Sequence, residues 1–325
     1  GWVRQVTPTY LNPYNFGALG DGTQNDYDNL AFVAISDYIK NTPFKGYTIH
    51  IEHGQYCVIS QKFVAGQGYQ TTSALDLQFT KMADKAIIIK SDNATLKLKE
   101  GLRFGFFDPN TGEAVADGDS YAENYRANVG YALAFHNIKK LVICGNLEID
   151  GNSSKAIIGG RLAGTGMPKW YVGSYDAPSY GLWMRLIENI YVENVNTHDH
   201  LCDGLYVVGY NYDVVYTTDV LDKTKVDVLN ANWSGVFNNI KSTRNARQCL
   251  SLCGGQNLTF NDCYFDKAGT DDLPHQSMPK TTLDIEAEIA SVRNTVFNRC
   301  HFGDATFPVA CGANIYGHDI RNVTF

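Results

Sequence analysis

The chain has 325 residues, of which 44% are hydrophobic, so it is long enough and apolar enough to bury a large core. Only 19% of its residues are charged, and its formal net charge is −7. A mildly acidic chain without a basic run does not favour nucleic acid as a partner. No apolar run is long enough to span a membrane. From the charge and the apolar pattern together, we expect neither nucleic acid nor a membrane among its partners.

Eight cysteines are present, and no two of them have the spacing of a Cys-x-x-Cys metal pair. Most of them stand beside Val, Leu or Phe in strand-like segments, which indicates buried free thiols that pack as small hydrophobic groups. We therefore predict synthesis in a reducing compartment. We also predict that Cys263 and Cys300 are unbonded thiols on neighbouring layers of the fold.

The first predicted element is a helix from Asp28 to Lys40, which the breakers Asn41, Pro43 and Gly46 follow. Its apolar residues recur at helical spacing: Leu30, Ala31, Ala34, Ile35, Tyr38 and Ile39. Short β-rich segments separated by Gly, Asn and Asp come next, among them 48–51, 86–89, 94–98 and 141–143. Many strands with almost no helix indicate a barrel, a sandwich or a solenoid.

An internal repeat favours the solenoid. Residues 257–265 align without gaps on residues 294–302, and Asn, Phe, Asn, Cys and Phe recur at matching positions. Weaker copies begin at Asn137, Asn189 and Asn322. A constant strand segment at variable offsets is typical of coils that carry loops of different length and stack into one continuous core.

Residues 15–26, Asn-Phe-Gly-Ala-Leu-Gly-Asp-Gly-Thr-Gln-Asn-Asp, resemble the N-terminal motif of the pectate-lyase-like superfamily, which a capping helix follows. Residues 48–56 resemble the first strand of that fold, with Glu52 where proline is usual. Segments 247–259 and 283–286 resemble paired coils of phage tailspike depolymerases and related bacterial glycan-active enzymes. The resemblance implies an all-β, right-handed parallel β-helix, and it does not specify the reaction.

One domain is therefore expected over 1–325, with the N-terminal motif and capping helix in 1–47 and the coils in 48–325. Gly1 followed by Trp2 is not a natural start, so we expect a processed or engineered piece without its export signal. Because the strand-like residues 322–325 end the chain, we also expect that its C-terminal end is missing.

Alternation of side chains along strands predicts where polar groups point. A single register of three strand segments buries every Leu, Val and Ile and leaves Tyr206, Ser251 and Asp284 in one outward column. The three segments are 204–207, 249–252 and 282–285. Glu286 follows two residues after Asp284 on the same face, and Asp203 lies at the start of a strand two coils earlier.

Three carboxylates near one column suit acid–base chemistry. Stacking at roughly 4.8 Å per coil would place Asp203 on the order of 9–10 Å from Asp284, close to the roughly 6.5–9.5 Å gap of inverting glycosidases. Asp284 and Glu286 would raise one another's pKa and supply a general acid. We predict Asp284, Glu286 and Asp203 as the catalytic residues; a solvated polar face is the alternative.

His198 and His200, as alternate residues, could point the same way and bind a metal or relay protons. A His-x-His pair without a third placed ligand is a weak metal signal, so we predict no metal and no cofactor and assign both histidines to substrate binding.

Lys241, Arg244 and Arg247 lie on the coil between the two carboxylate coils. They could neutralise the carboxylate of a uronic acid, as a lyase requires, or pair with Asp284. Arg244 and Arg247 are predicted to bind the substrate.

Aromatic residues crowd the segment that follows the glycine-rich loop at 159–166: Trp170, Tyr171, Tyr175, Tyr180 and Trp183. Rings with one polar edge suit stacking against sugars. We assign Trp170, Tyr171, Trp183 and Tyr206 to substrate binding, with packing of a long loop onto the wall as the alternative.

Three functions remain open. The first is hydrolysis of a cell-surface or capsular polysaccharide, as the resemblance to tailspikes implies, together with a homotrimer and an extracellular or virion location. The second is a uronate lyase or epimerase with a His, Tyr, Lys or Arg base and bound calcium. The third is a glycan-binding or structural spike without catalysis. The Gly-His-Gly and Arg-x-Lys elements of the superfamily's galacturonases are absent, which argues against pectin hydrolysis.

Overall fold

The computed structural model describes residues 7–118, 120–162, 178–208, 234–273, 275–287, 291–313 and 319–325. These residues form one α-helix, α1 (Tyr27–Asn41), and three 3-10 helices, Pro13–Phe16, Glu123–Tyr125 and Ser153–Lys155. The first strands are β1 (Tyr10–Leu11), β2 (Gly46–Ile51), β3 (Gly54–Val58), β4 (Ser60–Val64), β5 (Gly68–Thr72), β6 (Leu75–Leu98), β7 (Arg103–Phe106), β8 (Arg126–Ala127), β9 (Gly130–Asp150) and β10 (Ile157–Ile158).

The remaining strands complete the wall. They are β11 (Ser179–Glu193), β12 (Val195–His198), β13 (Asp203–Val208), β14 (Ser234–Asn238), β15 (Lys241–Thr243), β16 (Gln248–Leu252), β17 (Gly255–Gln256), β18 (Leu258–Asn261), β19 (Tyr264–Asp266), β20 (Thr281–Ala287), β21 (Val292–Asn298), β22 (His301–Phe302), β23 (Phe307–Ala313) and β24 (Ile320–Thr324). Among the described residues, no helix is long and apolar enough to cross a membrane.

Strand pairing arranges these elements as coils with three faces. Face 1 contains segments 75–78, 133–136, 182–185, 205–207, 250–252, 283–285 and 309–311. Face 2 runs from β2 to β24, and face 3 runs from β3 to β22. Because every one of these pairings is parallel and joins successive turns of the chain, the predicted right-handed parallel β-helix is confirmed.

Identical or similar side chains stack inside the wall from coil to coil. On face 1, Leu205, Leu250 and Leu283 are in register and fully buried. On face 2, the Phe260 ring stacks on Phe237 at 4.5 Å and on Phe297 at 4.8 Å. The predicted repeat is confirmed, because residues 259–261 pair in register with residues 296–298.

Single residues in the left-handed conformation turn the chain from face 2 to face 3. Asn93, Asn194 and Asn239 have φ values of 58°, 55° and 50°. Asparagine tolerates this region better than most residues, since its short polar side chain can bond locally. The Nδ2 of Asn239 donates to the Oδ1 of Asn194 at 2.7 Å, so the turns also form a row of amides.

Most of the described cysteines are buried, as predicted, whereas Cys311 is exposed and Cys144 is half-buried. The described thiols are free, and Cys263 is buried while Cys300 is half-buried. A hydrogen bond from the neighbouring Cys263 thiol lowers the pKa of Cys300 to about 7. The two residues therefore occupy adjacent coils as unbonded thiols.

The predicted cap is confirmed, with α1 extending one residue beyond the expected bounds at each end. Its buried residues include Phe32, Ile35 and Ile39. The Oγ of Ser36 accepts a hydrogen bond from the backbone N–H of Asp76 at 3.0 Å, which places the helix beside the first face 1 segment. Here it covers core and strand groups that would otherwise be exposed at this edge.

We expect Ile35→Asp to lower the melting temperature by several degrees. Ile35 is fully buried, and a carboxylate in this contact would lose its hydration without gaining a partner. Circular dichroism melting measures the change. Leu30→Asp on the same helix is the matched control, because Leu30 is 56% exposed. Equal melting curves for wild type and Ile35→Asp would contradict a stabilising cap.

Candidate functional site

The outward column on face 1 has the predicted register. Tyr206 pairs with Ser251, and Ser251 pairs with Asp284, while Trp183 precedes Tyr206 in the same row. The flanking Leu283 and Ile285 lie in the core, so Asp284 faces away from it.

The column is more enclosed than the sequence indicated. Ser251 is fully buried and Asp284 is only 3% exposed, so the alternative of a solvated polar face does not hold for Asp284. The Nε2 of Gln248 donates a hydrogen bond to Asp284. Glu286, two residues further on, is half-buried, and its Oε2 lies 3.9 Å from the Sγ of Cys253. The two carboxyl groups therefore occupy different environments on one strand.

Asp203 begins β13 as predicted, but it forms a buried ion pair. Its carboxylate has no exposed surface, and the Nε of Arg247 donates to its Oδ1 at 2.7 Å while a second guanidinium nitrogen donates to Oδ2. Burial raises the pKa of Asp203, and the Arg247 guanidinium acts in the opposite direction. A carboxylate held on both oxygens positions its partner better than it exchanges protons with a substrate.

Aromatic rings continue the column toward the N-terminal coils. Tyr131 stacks on Tyr180, with centroids 5.6 Å apart and planes at 11°, and Trp183 is nearly parallel to Tyr206. Tyr180 and Tyr206 approach to 5.3 Å and join the two stacks. A cavity of about 610 Å³ opens beside Tyr131 and Pro178. These four rings, Tyr131, Tyr180, Trp183 and Tyr206, are the aromatic platform.

The phenols of the platform are poor bases. Burial raises the pKa of both Tyr180 and Tyr206 well above the ordinary tyrosine value. The Arg247 guanidinium, which donates a hydrogen bond to the Oη of Tyr180 at 3.4 Å, acts in the opposite direction on the pKa of Tyr180. Both hydroxyl groups are therefore neutral at physiological pH.

The two histidines point in opposite directions, so the expectation of a shared direction was wrong. His200 is fully buried, and its Nε2 lies 2.9 Å from the Oγ1 of the buried Thr197. His198 lies outside, with its Nδ1 at 2.8 Å from Asp199 and its Nε2 at 3.2 Å from Glu148. Asp199, between them, has a left-handed backbone conformation (φ 55°). This turn breaks the strand alternation, so His198 points outward and His200 points into the core.

We expect the stability of the protein to fall by about 3 kcal/mol as pH drops from 6.5 to 4, through His200. Burial lowers the pKa of His200 to about 4, so the unfolded chain takes up the proton first, at roughly 1.36 kcal/mol per pH unit. His198, whose pKa is raised by Asp199 and Asp150 against the opposing effect of burial, contributes with the opposite sign. Urea unfolding at pH 7 and pH 4.5 should show a smaller loss for His200→Gln than for wild type. His53→Gln, at an exposed position, is the control, and parallel pH profiles of wild type and His200→Gln would refute the assignment.

One group of side chains has the composition of a metal site. Ligand atoms of Asp150, His198 and Asp199 lie within 4.8 Å of one another. Two cations already compensate this group, since Lys97 lies 3.0 Å from Asp150 and the Nε of Arg244 lies 3.0 Å from Asp199. These residues form an ion-pair network. Because Arg244 pairs with Asp199 in this network, its predicted role in binding a substrate on face 1 is not supported.

Four other residues were singled out from the sequence: Lys241, Trp170, Tyr171 and Trp183. Lys241 is exposed on face 3, with its Nζ 6.0 Å from the centroid of the Tyr264 ring. Trp170 and Tyr171 lie outside the described residues. Trp183 is only 7% exposed.

Two residues of the site were not predicted from the sequence: Tyr131, which is part of the aromatic platform, and Gln248, which donates a hydrogen bond to Asp284. Tyr131 pairs in register with Tyr180, and Gln248 pairs with Asp203. A signal for the first was present, since Tyr131 and Leu133 match the spacing of Tyr180 and Leu182.

No protein-family model matches the chain, and the search of curated proteins found no match. Among solved structures, the mannuronan C-5 epimerase AlgE6 A-module of Azotobacter vinelandii is 13% identical with a TM-score of 0.38, covering 96% of this chain and 79% of its own. The mannuronan C-5 epimerase AlgE4 A-module of the same organism is 15% identical with a TM-score of 0.28. The match covers 97% of this chain and 95% of the AlgE4 A-module. ORF18 of Geobacillus virus E2 is 14% identical with a TM-score of 0.34, and the match covers 91% of this chain. This chain spans about half the length of ORF18.

Proposed function

We propose that the chain is an endo-glycosidase that cleaves a polysaccharide bound along face 1, with Asp284 and Glu286 as the catalytic pair. The proposal rests on the position of this pair beside the aromatic platform, because Asp284 lies in the same outward row as Trp183 and Tyr206. Stacked aromatic rings bind the apolar faces of sugars, and a carboxyl pair performs acid–base cleavage of the glycosidic bond.

The two carboxyl groups take separate roles in this proposal. Asp284 is the more buried of the two, and in this proposal it acts as the general acid. Glu286 is less buried and would activate water as the general base. Residues two apart on a strand are separated by roughly 6.6 Å, which is within reach of the roughly 6.5–9.5 Å gap of inverting enzymes.

Asp203 takes a supporting role instead of a catalytic one. Its ion pair holds Arg247 against the hydroxyl group of Tyr180, at the edge of the platform. A uronate lyase has less support, because the Arg247 guanidinium is engaged by Asp203 and burial raises the pKa of the Tyr180 hydroxyl group.

Product analysis tests the proposal. The protein would be incubated with a panel of acidic and neutral polysaccharides, and new reducing ends would be measured together with ultraviolet absorbance from unsaturated uronates. New reducing ends without that absorbance support hydrolysis. The absorbance would indicate a lyase, and binding without cleavage would indicate a non-catalytic spike.

An extracellular or virion location and a homotrimer remain predictions from the resemblance to tailspikes. We expect light scattering after size-exclusion chromatography to give three times the mass of the chain. A monomer mass at micromolar concentration would contradict the trimer and place the complete site within one chain.

A further inference from the structure

A second groove lies on the opposite part of the wall, along the corner between faces 2 and 3. Its volume is about 430 Å³, and it crosses four successive coils. We call it the corner furrow. Ala94, Leu147 and Val195 lie at its base and are nearly fully buried, with their side chains in the hydrophobic core.

Each coil contributes one amide to one side of the furrow: Asn93, Asn146, Asn194 and Asn239. These amides bond in pairs, with Asn146 donating to Asn93 at 2.8 Å and Asn239 donating to Asn194 at 2.7 Å. An amide that uses one donor in such a pair still has a second N–H donor and an acceptor for a ligand. Coils stack at roughly 4.8 Å, so the row offers polar groups at the regular intervals of a repeating chain.

The other side of the furrow carries Thr95, Glu148, Asn196 and Lys241. The Glu148 carboxylate is held by Thr95 at 2.7 Å and by His198 at 3.2 Å, so its position is fixed. The Oδ1 of Asn196 is buried and has no hydrogen-bond partner among the described residues. A buried acceptor without a donor is costly, and a ligand hydroxyl group would satisfy it once the Asn196 side chain turns toward the furrow.

We infer that the corner furrow is a second saccharide-binding site, which holds a linear, hydroxyl-rich oligosaccharide along the axis of the β-helix. Amides and a fixed carboxylate bind hydroxyl groups, and both line the furrow. Lys241 is the one cation that lines the described furrow, which does not suit a polyphosphate. A peptide would need free strand edges, whereas strands along this corner are paired on both sides.

Hydrogen–deuterium exchange with three linear hexasaccharides tests the inference: cellohexaose, mannohexaose and hexagalacturonate. We expect at least one of them to slow exchange in peptides that cover 93–96, 146–149, 194–197 and 239–242. Protection of face 1 peptides alone would overturn the second site and leave the proposed function intact. Protection of the furrow alone would support the second site and count against the proposed function, and no protection by any of the three would overturn the inference.

Substitutions separate binding from folding. Asn194→Gly and Asn239→Gly remove the amide while keeping the left-handed turn, since glycine adopts positive φ without strain. Each should weaken binding of the protecting hexasaccharide about tenfold by calorimetry, and each should lower the melting temperature by no more than Asn294→Gly does. Asn294→Gly is the matched control, because Asn294 has a φ of 51° and bonds Asn322 in another amide row outside the furrow. Equal loss in all three variants would refute a specific site.

Discussion

Asp284→Asn and Glu286→Gln should each reduce the rate of polysaccharide cleavage by roughly 10²–10⁴-fold, the usual contribution of a general acid or base. Both substitutions preserve side-chain size, and the amide oxygen introduced by Asp284→Asn could still accept the hydrogen bond that Gln248 donates to this position. Binding of the polysaccharide should therefore persist. Initial rates of reducing-end formation, together with calorimetric affinity, separate the two effects.

Glu100→Gln is the control for these variants, because Glu100 is an exposed carboxylate in a turn away from face 1. It should leave the rate unchanged. Full activity of both Asp284→Asn and Glu286→Gln would remove the catalytic pair from these positions and end the proposed mechanism. The pH profile gives a further check, since loss of the general acid should abolish the alkaline limb of a bell-shaped curve.

Breaking the ion pair between Asp203 and Arg247 should cost about 3–5 kcal/mol of unfolding free energy, as for other buried pairs that lose one partner. Arg247→Met leaves the fully buried Asp203 carboxylate without its guanidinium. The double variant Asp203→Asn/Arg247→Met removes both charges and should recover most of the loss. Urea unfolding at pH 7 measures each step.

The surface pair of Asp262 and Arg299 provides the matched control. It also joins neighbouring coils, at 2.6 Å, but both side chains are more than half exposed. Asp262→Asn should leave the unfolding curve nearly unchanged, because exposed pairs contribute little. If Arg247→Met were as mild as Asp262→Asn, the buried pair would not stabilise face 1.

Local sequence patterns were enough to predict the architecture and which residues of the face 1 strands point into the core. Apolar alternation set Leu205, Leu250 and Leu283 into one core row and thereby placed Tyr206, Ser251 and Asp284 outside it. The helical stripe predicted the cap. These features are local, since alternation and helical spacing depend on neighbours within a few residues.

Which outward groups are buried, and what they bind, depends on contacts between coils that are far apart in the sequence. Gln248 reaches Asp284 across 36 residues, and Arg247 reaches Asp203 across 44 and Tyr180 across 67. The one-residue turn at Asp199 sent His198 outward and His200 into the core, although both have the same place in the alternation. Solvent exposure and ion pairing depend on groups that stacking brings from other coils, and no local pattern in the sequence encodes those distances.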